Sequence, residues 1–543
     1  MKIGEYLLQQ LYARNVTDIF GVPGDYALKF FEQITKSQLN YIGTTREDTA
    51  GYAADAYARC KGLSAVVTTY GVGTLSTVNA TAGAFAENSP VVVISGAPGV
   101  DEQRKNQLLH HRFGPYKLQR QIFKKITCHS AILNDPTTGF RDINRALNAA
   151  QFYHLPVYIE LPRDIAEAEG KQLPPDDVNI LTKETDHIAT EQAVYEILQL
   201  LSPTTNAVII AGVEIQRFQC QDTLNTIISK SGLPVATSLT GKSVVSERIP
   251  QYIGVYEGII SVTSTRELVE NADLVIFLGV HLNDVDTGIF TMNIDPLKMV
   301  HVVEGQVTIG HHIYKNTSLC KLLHILAAKI PTRRKRFQTS RNLQEMPTTI
   351  PITVSTLIQT LNGLLPHNAT VISDVGDSLF ATHELNVHSP NQFIANAYYC
   401  SMGFSVPAAL GVAVARPNER VICLIGDGSF QMTGTELSTI SRLNLPVTTI
   451  VLNNQGYSTE RFILDGPFND IHQWNYHNIG HVFSPMPGQY VSTNRELLNA
   501  LEIAVSQDRP FIINVKLPAD QPSPALKRLS EGLKSKLDAS TQS

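Results

Sequence analysis

Long apolar runs are missing from this sequence. No stretch approaches the ~20 consecutive apolar residues that a membrane-spanning helix needs, which excludes a helical membrane protein. The opening residues, Met1-Lys2-Ile3-Gly4-Glu5-Tyr6, lack the apolar stretch and small-residue cleavage site of a secretory signal. Cysteine is scarce. The six in 543 residues, at positions 60, 128, 220, 320, 400 and 423, include no CxxC pair. That scatter argues against a zinc ribbon or a disulfide framework, and it fits the cytoplasm. An excess of one charge is missing too: a formal net charge of −5 gives no reason to expect nucleic acid or an anionic membrane as partner. Two nucleotide signatures are absent. Gly71-Val72-Gly73-Thr74-Leu75-Ser76 lacks the third glycine of GxGxxG, and no GxxxxGK[ST] occurs.

With 43% hydrophobic residues, the chain can build three to four domains at ~150 residues each. Two stretches read as linkers: Leu173-Pro174-Pro175-Asp176-Asp177, and residues 331–351, rich in proline, threonine and basic residues. The run Arg333-Arg334-Lys335-Arg336 has no interleaved aromatics, so it reads as a solvated face rather than a nucleic-acid patch. The expected domains are 1–175, 185–330 and 350–543. Apolar strands alternating with helices make each an α/β, doubly wound unit with a mainly parallel sheet. The middle third contributes Ala207–Ile210, Pro234–Ala236, Leu274–Leu278 and Val300–Val303 as candidate strands.

The first and last thirds share a faint repeat. A small-residue helix ends in Ala58-Arg59 or Ala415-Arg416, and an apolar strand then runs to Gly71 or Gly426. About twenty residues later a proline opens another strand, at Pro90 or Pro446. Both common ancestry and the general texture of α/β domains account for a repeat of this kind.

The strongest motif sits in the last third. Gly426-Asp427-Gly428-Ser429 closes one strand and Asn453-Asn454-Gln455-Gly456-Tyr457 closes another, with Thr433–Leu443 between them as a crossover helix. A right-handed βαβ unit puts both motifs at strand carboxyl ends, where such sheets bind ligands. Asp427, the Asn454 amide oxygen and the Gly456 carbonyl form an oxygen donor set suited to Mg²⁺. Gly426 and Gly428 let backbone amides approach phosphate oxygens, and Ser429 adds a hydroxyl.

GDGS followed by Asn-Asn at this spacing resembles the thiamine diphosphate fingerprint of pyruvate decarboxylase and its relatives. The likeness covers nearly the whole chain, as a pyrimidine-binding, a middle and a diphosphate-binding domain. Four further features of the decarboxylase branch recur: Asp25 after Gly21-Val22-Pro23-Gly24, Glu47 in Thr45-Arg46-Glu47-Asp48, His110-His111 before Gly114, and Glu460 shortly after Asn454. A second pair, His311-His312, has no match and reads as structural or solvated.

The resemblance implies non-oxidative decarboxylation of a 2-oxo acid to an aldehyde and CO₂ through a thiamine diphosphate ylid. Asp427, Asn454 and the Gly456 carbonyl would hold Mg²⁺. Glu47 would contact the aminopyrimidine ring nitrogen and favour its imino tautomer. Met402 would wedge the cofactor into a bent shape, with backbone groups of Cys400 and Met402 holding the pyrimidine. Asp25, His110, His111 and Glu460 would arrange the reacting molecule and supply protons. The resemblance also implies active sites built jointly by two subunits, hence a homodimer or homotetramer. Cys220 does not fall clearly at the position through which some relatives are activated by substrate, so no such regulation is expected.

Thr459 is smaller than the residue that pyruvate-selective relatives carry there. With Ile463 it would form a roomier pocket for branched-chain or aromatic 2-oxo acids such as phenylpyruvate. Two other readings are an acetolactate-synthase-like carboligase and a catalytically silent paralogue. The adjacent histidines oppose the first and Glu47 opposes the second.

Overall fold

Valine- and isoleucine-rich runs, too short for helices, form the centres of three sheets. The first holds β1 (Asp18–Gly21), β2 (Asn40–Gly43), β3 (Ser64–Thr68), β4 (Val91–Ala97), β5 (His129–Ile132) and β6 (Val157–Pro162), in the order β2-β1-β3-β4-β6-β5. The second holds β7 (Ala207–Ala211), β8 (Val235–Thr237), β9 (Tyr252–Val255), β10 (Leu274–Leu278), β11 (Met299–Val303), β12 (Gly305–Ile309) and β13 (His312–Thr317). The third holds β14 (Ala369–Ser373), β15 (Phe393–Ala395), β16 (Arg420–Gly426), β17 (Val447–Asn453), β18 (Gly488–Val491) and β19 (Phe511–Lys516), in the order β15-β14-β16-β17-β19-β18. This computed structural model describes residues 1–171, 185–202, 204–332, 337–338, 351–483 and 486–541, with side chains as far as residue 532. The first expected linker, most of the second and the basic run Arg333–Arg336 lie outside the described residues.

The first and third sheets are parallel throughout. Counted from its own first strand, each runs 2-1-3-4-6-5. The sequence repeat left ancestry open, and an identical order over six strands favours duplication. The middle sheet runs β13-β12-β11-β10-β7-β8-β9, and β12 and β13 are antiparallel additions. The sequence reading missed this hairpin because β13 is a mostly exposed edge strand without an apolar face. The hairpin contains His311-His312, and His312 Nδ1 lies 2.8 Å from Glu196 Oε1, a surface contact. No described helix is long and apolar enough to cross a membrane.

Two small-residue helices join the outer sheets. In α1 (Glu47–Lys61) and α2 (Ser405–Ala415), alanine and glycine predominate, and nearly every residue of α2 is buried. A Cβ at Gly411 would fall 2.0 Å from the Ala53 carbonyl oxygen, so the helices approach backbone to backbone there. One apolar cluster consequently runs from Phe20 and Tyr57 of the first domain to Ala409 and Cys423 of the third.

Two expectations are corrected. The crossover is not one helix over Thr433–Leu443. Helix α3 (Asp427–Thr433) starts at the motif itself, a 3-10 turn follows at Gly434–Glu436, and α4 (Leu437–Arg442) completes it. The break comes where Gly434 packs against the Phe430 ring, with its Cβ position 2.5 Å from Phe430 Cε1. The scattered cysteines also include a disulfide, Cys220–Cys320, with Cα atoms 6.0 Å apart. Cys220 precedes helix Gln221–Ser231 and Cys320 opens helix Leu319–Lys329; the two helices pack together, a juxtaposition that a separation of 100 residues conceals. Bridged in this way, Cys220 offers no free thiol.

Gly411→Ala is expected to cost about 1–3 kcal/mol by overpacking the α1–α2 contact. A lower urea midpoint would register it, and an unchanged midpoint would mean that the helices part without cost.

Candidate active site

β16 and β17 pair in parallel as far as Gly426 opposite Leu452, so both motifs leave the sheet side by side at its carboxyl edge. Asp427 is the first residue of α3, where the helix dipole favours a negative charge. It is 1% exposed, and its Oδ1 and Oδ2 accept 2.8 Å hydrogen bonds from the amides of Gly428 and Gln455. Burial pushes its pKa up to about 6, against the pull of those amides. Asn454 donates through Nδ2 to Ser458 Oγ at 2.5 Å, while its Oδ1 is buried without a partner. A buried acceptor left unpaired costs about 1–3 kcal/mol. A carboxylate desolvated to this degree beside an unpaired amide oxygen is a donor set that a hard divalent cation satisfies.

Glycine is required around these donors. A Cβ at Gly428 would meet Tyr457 Cε1 at 2.4 Å, and one at Gly456 (φ 153°) would meet the Asn469 carbonyl oxygen at 2.1 Å. Gly426, by contrast, has nothing within 4 Å of its Cβ position and faces the cavity.

That cavity measures about 590 Å³. Of the residues singled out in the sequence, Cys400, Met402, Gly426, Asp427, Gly428, Ser429, Asn454, Gly456, Thr459 and Glu460 all line it. Ile463 does not. It ends the short helix α5 (Ser458–Ile463) with 73% of its surface exposed, so the single chain does not use it as a pocket wall. Thr459 Oγ1 is buried without a partner.

The turn that presents Cys400 and Met402 is held from two sides. Cys400 adopts a left-handed φ of 57°, which a non-glycine residue keeps only when its surroundings enforce it. Glu87 of the first domain accepts hydrogen bonds from the amides of Tyr398 (2.8 Å) and Tyr399 (3.0 Å). Asp374, fully buried, accepts from Gly403 N at 3.0 Å and Ser405 N at 2.9 Å. Burial pushes the Asp374 pKa up, and hydrogen bonds from Ser405, Gly403 and Ser429 oppose that rise. Sequence reasoning missed Asp374. The available signal was a carboxylate just past an apolar strand, the pattern that singled out Asp427.

Also missed were cavity walls from elsewhere: Leu239, Glu257, Ile260 and Ile289 of the middle domain, and Leu529 on the terminal helix α6 (Pro524–Thr541).

A second cluster lies on the first domain. Asp25 Oδ2 is 2.7 Å from His110 Nε2, and the His110 ring stacks on Tyr26 with centroids 4.9 Å apart. His111 stands perpendicular to His110 at 4.6 Å, with a positive φ of 65° and a buried, unpartnered Nδ1. Gly71 (φ 70°) makes room for it, since a Cβ there would lie 2.3 Å from the His111 carbonyl oxygen. Glu47, half-buried at the start of α1, has Oε1 3.3 Å from the Cβ position of Gly73. None of these residues lines the cavity, and neither does any other described residue of the first domain. One chain therefore carries two separate groups of these residues, one on the first domain and one lining the cavity between the middle and third.

Three family models match in order: the N-terminal TPP binding domain of thiamine pyrophosphate enzymes over residues 1–117, their central domain over 194–326, and their C-terminal TPP binding domain over 374–515. The chain is 32% identical to an indole-3-pyruvate decarboxylase of Azospirillum brasilense, covering 98% of each protein. It is 33% identical to an alpha-keto-acid decarboxylase of Mycolicibacterium paratuberculosis, covering 95% of this chain and 94% of that one. Pyruvate decarboxylase 1 of Pisum sativum is 31% identical, with 98% and 92% covered. Among solved structures, a thiamine diphosphate-dependent 4-hydroxybenzoylformate decarboxylase of Rhodococcus jostii RHA1 superposes with a TM-score of 0.80 at 22% identity, over 96% of this chain and 100% of that one.

Asp374→Asn would leave one acceptor oxygen for the three amides of Val375, Gly403 and Ser405 and loosen the Cys400–Gly403 turn. Thiamine diphosphate affinity is expected to fall about tenfold, the worth of a hydrogen bond to a charged group. Titration calorimetry would measure it, and unchanged affinity would remove Asp374 from the site.

Proposed function

We infer the function from the family to which this chain belongs, the thiamine pyrophosphate enzymes, in their 2-oxo acid decarboxylase branch. It is a carboxy-lyase. The finer reading is that a cytoplasmic homodimer or homotetramer uses Mg²⁺ and thiamine diphosphate to decarboxylate branched-chain or aromatic 2-oxo acids, phenylpyruvate among them. What carries the cofactor site is the meeting of buried Asp427 with the unpaired Asn454 Oδ1 at two adjacent strand ends.

In this reading Asp427, Asn454 and the Gly456 carbonyl hold Mg²⁺, and Gly426, Gly428 and Ser429 receive the diphosphate. Thiamine diphosphate, when bound, supplies a nucleophilic ring carbon that adds to the 2-oxo carbon and accepts the electron pair released as CO₂ departs. Cys400 and Met402 would hold the pyrimidine end, with the Met402 side chain packed against the cofactor. Glu47 holds a proton at the pyrimidine ring nitrogen. Asp25 fixes the orientation of His110, and the pair with His111 and Glu460 positions substrate and delivers the proton that completes the aldehyde. Glu47, Asp25 and the histidines reach the cavity from a partner subunit, which is the reading the two separate half-sites support.

The preference for larger substrates rests on Thr459 and on apolar walls that include Ile260, Leu379 and Leu529. One methylene is worth only about 1–3 kcal/mol of discrimination, so specificity is mixed rather than strict. Location in the cytoplasm is read from the four cysteines that remain thiols, Cys60, Cys128, Cys400 and Cys423, and the Cys220–Cys320 bridge counts against it.

Loaded with cofactor and Mg²⁺, the protein is expected to release CO₂ from phenylpyruvate and 2-oxoisovalerate with a higher kcat/KM than from pyruvate, and chelation of the metal during loading should abolish it. A strict preference for pyruvate would overturn the substrate assignment.

Glu47→Gln should lose at least about a hundredfold in kcat while still binding cofactor, and Asp427→Asn should lose the binding itself. Mixed in equal amounts with subunit exchange, the two inactive variants should regain about a quarter of wild-type activity, because half the dimers are mixed and each has one intact site. No recovery on confirmed exchange would place both half-sites in one chain.

A further inference from the structure

The cavity wall contains one buried acid–base pair that the reading above does not use. Glu257, just before the 3-10 turn Gly258–Ile260 of the middle domain, lines the cavity with 1% of its surface exposed. Its Oε2 meets His383 Nε2 of the third domain at 2.5 Å, and the His383 side chain is fully buried. The nearby guanidinium of Arg528 is spent elsewhere, on Glu384 Oε1 at 2.9 Å and the Ile260 carbonyl at 2.7 Å. Burial pushes the Glu257 carboxyl up and the His383 imidazole down. The 2.5 Å contact ties the two side chains together across the domain boundary.

That bond commits one oxygen of Glu257. The other, Oε1, has no hydrogen-bond partner among the described residues. Leu239, Ile260 and Leu529, which line the same cavity, have no side-chain donor to offer it. A hydrocarbon side chain filling this region would strip water from Oε1 and return nothing, whereas a side chain ending in a hydrogen-bond donor would pair with it. A carboxylate tail meets lone pairs on Oε1 and the Asp284 side chain on the same wall.

We propose that Glu257, held in place by His383, is a specificity-determining residue that accepts a hydrogen bond from the far end of the substrate, selecting aromatic 2-oxo acids that carry a phenol O–H or indole N–H. This rests on the decarboxylase reading and narrows its substrate class. The arrangement fixes the acceptor rigidly, since Glu257 is anchored by a residue of the opposite domain and cannot swing to solvent.

The test compares matched pairs that differ by one donor. For the holoenzyme, kcat/KM for 4-hydroxyphenylpyruvate should exceed that for phenylpyruvate about tenfold, the worth of one neutral hydrogen bond that also relieves a buried acceptor. Glu257→Leu, close in shape, should bring that ratio to about one, with the loss falling on the hydroxylated substrate. Glu257→Gln keeps a carbonyl oxygen and should keep the preference. A merely structural pair would lower both substrates alike and leave the ratio untouched, which would overturn the proposal. Wild-type protein alone supplies a second measurement that needs no variant: 3-(indol-3-yl)propanoate should bind about tenfold more tightly than its N-methyl analogue, and equal affinities would also overturn the proposal. Preference in binding without CO₂ release would remove the decarboxylase reading and leave this acceptor standing; CO₂ release without preference would do the reverse.

Discussion

The close approach of two alanine- and glycine-rich helices is the constraint on which the rest of the molecule depends. With Gly411 against the Ala53 carbonyl, α1 and α2 leave no room for side chains between them, and their contact fuses two sheets into one body with a shared core. The far end of α1 carries the next layer of order. Arg59 makes a buried bidentate pair with Asp55 and donates to the Ala395 carbonyl at 2.8 Å, while Glu87 captures the Tyr398 and Tyr399 amides. The first domain thus shapes the turn bearing Cys400 and Met402 without itself facing the cavity.

Four buried carboxyl groups around that cavity illustrate how environment divides identical chemistry into different tasks. Asp374 is paired by three backbone amides, and Asp377 by the Ser523 amide at 3.0–3.1 Å. Glu257 commits one oxygen to His383 at 2.5 Å. Asp427 has amide partners as well, but it alone lies beside an unpaired amide oxygen and a glycine that opens onto free volume. Asp374 and Asp377 are therefore satisfied by protein, Glu257 keeps one oxygen open to the cavity, and Asp427 lies on that cavity with the unpaired Asn454 Oδ1.

What could be read in the sequence was chemistry carried by contiguous residues. Gly426-Asp427-Gly428-Ser429 and Asn453-Asn454 declared a cofactor end because backbone geometry and donors occur within a few residues, and the cavity lining agrees with them. Parallel sheets were legible from unbroken apolar strands. Contacts made only by tertiary folding were not. Asp374 reaches Gly403 across 29 residues, Cys220 reaches Cys320 across 100, and Glu257 reaches His383 across 126. The edge strand β13 hid for another reason, since most of its side chains meet solvent. Ile463 was assigned to the pocket by analogy of position, and the chain turns it outward.

The separation of Glu47 and the histidines from the cavity of their own chain has a cellular corollary. In the proposed dimer a solitary copy would keep the Asp427 side of the site and have no Glu47 facing it. Mass action favours solitary copies at low abundance, so activity per chain would climb as copies become more concentrated.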